Sequence, residues 1–150
     1  MNTVGNPRTL ARLTDRVRQL TPDAPRRWGK MNIQQALSHV AGAMEWVLRG
    51  GDAQSNWNES YSKLIKFVAF RVPLPWPKGV PNPNDPASVD VPADEFDALR
   101  DRVLAGLEGM AAWEVNERTP PHPAFGRLTT WEWQRWAWKH ADHHLKQFGA

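Results

Sequence analysis

Apolar positions along the chain recur mainly at intervals of three and four, the spacing that gathers side chains on one side of an α-helix. Leu10, Leu13, Val17 and Leu20 form the first stripe, with Arg8, Arg12 and Arg16 on the opposite, solvated side. This predicts a helix from about Pro7, a favourable first-turn residue, to Leu20, where Thr21-Pro-Asp-Ala-Pro25 ends it. A second helix is predicted from Asn32, its N-cap, through Arg49, with Gly50-Gly51 as the stop. Residues 61–71 keep the helical period through Tyr61, Leu64, Ile65 and Val68, and no neighbouring stretch offers a strand partner, so a third helical piece is preferred. Asp94 to Glu108 reads as a structural amphipathic helix, with Phe96, Leu99, Val103 and Leu107 inward and acids at its positive end. A last helix is predicted over about 130–148, where Thr129 and Glu132 make a capping box and Gly149 can close the far end.

From Val72 to Pro92 stand prolines 73, 75, 77, 81, 83, 86 and 92, a density that excludes helix interiors and sheet centres. The expected object is a crossover strap laid over the helices with Trp76 as its hydrophobic peg; the alternative is that Trp76 rims a ligand pocket. Thr119 to Leu128 reads as a stiff turn leading into the last helix. Four principal helices, one further piece and no alternating strands predict an all-α bundle, and 150 residues predict one domain over 1–150.

There is no cysteine, which excludes disulfides, thiolate ligands and a cysteine nucleophile. Metal chemistry would therefore rest on five histidines, His39, His122, His140, His143 and His144. His140 and His144 are four apart on the last helix, neighbours on one face and able to reach one ion. Two ligands hold a transition metal poorly, and His39 on the second helix is the candidate third, although a lone histidine there is also read as a satisfied core residue. Small neighbours Ala36, Gly42 and Ala43 would let a partner helix come close or leave room above an ion, and the helical glycine at 42 suggests that its missing side chain is used. His143 is expected to support the site or face solvent, and His122, held between Pro121 and Pro123, to anchor a turn. Trp133 and Trp136 extend the His140 face and are expected to wall a cavity, while Gln147 and Glu45 are candidates for supporting or general-base roles.

Three segments carry a resemblance: Arg27-Trp-Gly-Lys-Met-Asn-Ile-Gln-Gln-Ala-Leu-Ser-His39, the turn His122-Pro-Ala-Phe-Gly126, and His140-Ala-Asp-His-His-Leu-Lys-Gln-Phe148. Together they look like the DinB-like superfamily of damage-inducible, metal-binding four-helix bundles, and most resemble a branch described as a domain of unknown function. The resemblance implies one histidine on the second helix and a His-x-x-x-His pair on the last, here His39, His140 and His144, around a divalent ion, commonly zinc or nickel. It also implies kinship with transferases and isomerases that use low-molecular-weight thiols.

Three neutral imidazoles leave the ion its full charge and an open position, so it can acidify a thiol or a water. The function expected is a divalent-metal-dependent enzyme, a low-molecular-weight-thiol-dependent S-transferase with a small-molecule substrate. The alternatives are a non-catalytic metal-binding or stress-response bundle acting through a partner or a homodimer face, and a metal-dependent hydrolase. Imidazoles must be neutral to bind, which puts metal loss below about pH 6. A net charge of +3 and a pI near 9.6 mildly favour anionic ligands, but Asp15 interrupts the early arginines and no recognition motif accompanies them, so no nucleic-acid partner is expected. No apolar run approaches a membrane span of roughly 20 residues, and the first residues lack a signal-peptide core; a cytoplasmic protein with no membrane partner is the expectation.

Overall fold

The computed structural model describes residues 1–51, 59–79 and 85–150, the side chains of 59–63 excepted. The polar loop after Gly51 and prolines 81 and 83 lie outside the described residues. Among those described, the chain forms five α-helices and no strand: α1 (Pro7–Arg18), α2 (Ile33–Leu48), α3 (Glu59–Arg71), α4 (Phe96–Ala112) and α5 (Thr130–Gln147). Short 3-10 turns at Pro86–Ser88 and Ala93–Glu95 and one isolated bridge between His122 and Gly126 complete the elements. No helix among the described residues is long and apolar enough to cross a membrane.

Side-chain caps place the helix starts where the sequence puts them. Asn6 accepts from the Thr9 amide at 3.1 Å, with Pro7 in the first turn. Asn32 and Gln35 form a reciprocal capping box on α2, as Thr129 and Glu132 do on α5. Each box satisfies amides that the first helical turn leaves without partners. Gly50 and Gly149 adopt φ of +79° and +82° just beyond α2 and α5, the left-handed geometry that ends a helix. α4 departs from expectation at both ends, beginning at Phe96 after a 3-10 turn and running through Gly109 to Ala112. Met110, fully buried, draws that extra turn into the core.

Apolar side chains of α1, α2, α4 and α5 share one buried cluster, including Leu13, Met44, Leu107 and Trp133. α2 packs most extensively against α4. The close approach is made by α4: a Cβ at Gly106 would stand 2.8 Å from Met44 Cε, and one at Gly109 2.8 Å from Leu48 Cδ1. At Gly42 no described heavy atom lies within 4 Å of an added Cβ, so of its two expected uses the close approach of a partner helix is corrected, and open room is what the glycine leaves. α3 contributes Phe70, fully buried, while Leu64, Phe67 and Val68 are exposed; its helical period is real, but most of its apolar residues are left uncovered. The described parts of the proline segment are tied down by backbone carbonyls: Gln35 Nε2 donates to Ala87 and Val89, and Lys139 Nζ to Leu74.

The two glycines make opposite predictions. Gly42→Ala should raise unfolding stability by about 0.5–1 kcal/mol, since a helical glycine gives up backbone entropy and nothing crowds the new methyl. Gly106→Ala should gain less or lose, because Met44 must move. Paired urea titrations would show it; Gly42→Ala no more stable than Gly106→Ala would contradict the packing described.

Candidate metal centre

α2 and α5 bring together side chains 101 residues apart. His39 and His140 face each other with their Nε2 atoms 3.0 Å apart, and His144 stacks edge-on against both, with ring centroids at 5.2 and 5.1 Å. One ring nitrogen from each of the three lies within 4.8 Å of the others. Nitrogens sharing one ion at metal–nitrogen bonds of about 2.0–2.1 Å sit roughly 3–3.4 Å apart. The His39–His140 pair is already at that separation, and a shift of about 1–2 Å would close the third. The donor set fits a divalent transition ion: nitrogen ligands only and no carboxylate among them.

Hydrogen bonding fixes which nitrogen His144 offers. Gln147, 1% exposed, donates through Nε2 to the Trp28 carbonyl at 3.0 Å, which that carbonyl can only accept. Its Oε1 is thereby turned to His144 Nδ1 at 2.9 Å, so Nδ1 must carry the proton and Nε2 the free lone pair. The approach needs a glycine beside Trp28: Gly29 has φ of +79°, and a Cβ there would fall 2.6 Å from Gln147 Nε2. The backbone closes the same corner, the Arg27 amide donating to the Gln147 carbonyl at 2.8 Å. Gln147 is thus placed as a support for His144. Glu45 is held elsewhere, by a two-pronged contact from Arg102 at 2.8 Å and by Arg49.

Burial keeps the three imidazoles neutral. It lowers His39, pushes His144 down to about 3 and drives His140 well below its ordinary value, with charge on the neighbouring histidines adding to the last. The neutral, metal-donating form therefore persists to lower pH than the unperturbed imidazole expected from the sequence. Among the described residues His140 Nδ1, which is buried, has no hydrogen-bond partner.

The other two histidines stand outside the trio. His143 packs edge-on against Trp28 at 4.5 Å and against His144 at 5.0 Å. His122 anchors its turn: its amide donates to Gly126, its Nδ1 accepts from the Ala124 amide at 3.0 Å, and its ring packs on Phe125. Trp133 and Trp136 are buried in the core, Trp136 with its ring 5.1 Å from His140, rather than walling an open cavity. Trp76 is half-buried between Phe125 and His140, at 6.1 and 6.4 Å. His144 borders a small apolar cavity of about 20 Å³, room for a water and little more. A larger cavity of about 800 Å³ lies beside the trio but is not lined by it; Trp76 and His143 are on its wall.

The profile of a family described as Protein of unknown function (DUF1569) matches residues 8–150. No curated protein matches the chain. No solved structure matches it.

The buried turn histidine makes the acid side of the stability profile steep. In the unfolded chain this imidazole takes a proton below about pH 6.5, whereas burial lowers His122 in the folded chain to about 4. Between those values the unfolded state binds more protons, so stability falls as pH drops through the window and is level above it. His122→Asn, which keeps an acceptor for Ala124, should remove up to about 1.4 kcal/mol per pH unit of that slope. Denaturant midpoints taken across the window check this, and an unchanged slope in the variant would refute it.

Proposed function

The chain belongs to the family described as Protein of unknown function (DUF1569), and from that membership and the clustered histidines we propose a DinB-like four-helix bundle working as a divalent-metal-dependent enzyme. The reaction class is transfer to the sulfur of a low-molecular-weight thiol, with zinc or nickel as the ion held by His39, His140 and His144. The observation that carries this reading is the convergence of three neutral imidazoles from α2 and α5 within 4.8 Å. The shared core of α1, α2, α4 and α5, with α3 peripheral to it, supports the four-helix description.

When bound, the ion supplies a Lewis acid that lowers the pKa of a thiol and holds the sulfur in reach of an electrophile. The chain's own part is positional. Burial holds the rings in their neutral form, Gln147 fixes the His144 tautomer, and Trp136 with the core around it shields His140 from water. Metal-assisted hydrolysis is less favoured, because among the described residues no carboxylate stands in the cluster to move a proton from water. A non-catalytic metal-binding bundle is favoured by one specific feature: none of the three histidines lines the large cavity.

Protein purified without an affinity tag and loaded at about pH 8 should bind one zinc or nickel per chain by elemental analysis. Gln147→Met should weaken binding about 10–100-fold and His140→Ala by more than that. A panel of electrophiles with small thiols should turn over only with the loaded protein. A chain that stays metal-free would remove the enzyme reading and its metal-binding rival together; binding without turnover would leave the rival.

A further inference from the structure

We propose that the 800 Å³ cavity beside the histidines is a second ligand site, taking a small organic oxyanion, carboxylate or phosphate, joined to a flat apolar body. The site does not rest on the metal reading, since His39, His140 and His144 do not line it. Its size falls in the range of about 300–1,000 Å³ typical of small-molecule pockets.

Charge on its wall is one-sided. Arg27, Lys78, Arg135, Lys139 and Lys146 line it against a single carboxylate, Asp142. That carboxylate is already engaged, by Arg16 at 2.7 Å and by Lys146 at 2.7 Å. Two of the cations are themselves buried: Arg135 is 5% and Lys139 6% exposed, one turn apart on α5. Among the described residues neither has a carboxylate within ion-pair distance. Arg135 gives one donor to the Asn2 carbonyl at 2.6 Å and leaves its Nε without a partner. Lys139 gives two of its three donors to the carbonyls of Ala69 and Leu74. Asp142 is the carboxylate whose charge favours both, and it is shared with Arg16 and Lys146, while the two cations repel each other; an anion between them would meet a charge the fold answers only in part.

The rest of the wall is aromatic. Trp28, Trp76 and Trp138 line the cavity, and each carries a cation over its ring: Lys78 at 5.1 Å, Lys139 at 5.6 Å and Arg135 at 5.1 Å. A ligand with a planar body can lie against indole faces while its oxyanion meets the guanidinium fork and the ammonium groups.

The three tryptophans make fluorescence a direct readout. Metal-free, dialysed protein is titrated with phenyl phosphate, phenylacetate and neutral phenylacetamide, and the first two arms separate phosphate from carboxylate ligands. Saturable binding of at least one anion is expected, with the amide at least about tenfold weaker. Lys78→Gln, at an exposed position that does not burden folding, and Arg135→Gln should each weaken the anion by about tenfold, whereas Arg12→Gln on α1 should leave it unchanged. An amide that binds as well as the anions, no saturation by about 10 mM, an unaffected Lys78→Gln, or binding that appears only with metal would overturn the proposal. So would a short single-stranded oligonucleotide that binds more tightly than phenyl phosphate.

Discussion

α5 is buried on more than its apolar face, and a polar side chain taken out of water there costs free energy unless it finds a partner. Glu132, Arg135, Lys139, Asp142 and Gln147 are all nine-tenths buried or more. Glu132 closes its own helix cap and pairs with Lys66 of α3 at 3.1 Å. Arg135 holds the N-terminal segment, Lys139 holds the start of the proline segment, Asp142 holds α1 through Arg16, and Gln147 holds the Trp28 corner. Breaking one of these leaves an unpaired group in a water-poor place, which is worse than losing a surface hydrogen bond. The irregular segments are thus fastened to the last helix by that constraint more than by apolar contact.

The same constraint separates what the sequence could disclose from what it could not. Helix existence, caps and the pairing of His140 with His144 are local matters of three- and four-residue spacing, and they are legible without any partner. His39 is not local to that pair: the need for a third ligand makes it a candidate, and the resemblance of the surrounding segments strengthens the tie. Arg135 and Lys139 carry no signal in the sequence, because their acceptors are backbone carbonyls more than sixty residues away, which no periodicity encodes. The role of Gln147 was open for a related reason: its second partner is the Trp28 carbonyl, and any residue offers a carbonyl. A visible signal did exist in Trp28-Gly29, since a glycine beside a half-buried tryptophan at a helix entrance marks a close backbone approach.

Gly42 shows the opposite failure. A glycine inside a helix suggests a close neighbour, yet the crowding falls on Gly106 and Gly109 of α4, whose spacing of three gives α2 a shallow groove. Along α4 the large apolar residues Leu99, Val103 and Leu107 suffice to explain an inward face. Small residues specify how near two helices come, and large ones only which faces meet. The α3 stripe likewise kept its period while most of its apolar residues stayed exposed, because periodicity fixes a face and leaves open what covers it.

Fold stability alone gives no reason for three imidazoles between α2 and α5. Aliphatic side chains of similar volume would bury there without desolvating ring nitrogens, and His140 Nδ1 would not be left without a partner. The pressure of burial on all three rings favours the uncharged form, the one state in which each can offer a lone pair to a cation. Gln147 then adds a directional element that a merely space-filling histidine does not need, because it selects the tautomer with Nε2 free. Three rings held neutral, one of them held in a chosen tautomer, and no carboxylate beside them among the described residues make a cluster that could hold an ion with its full positive charge.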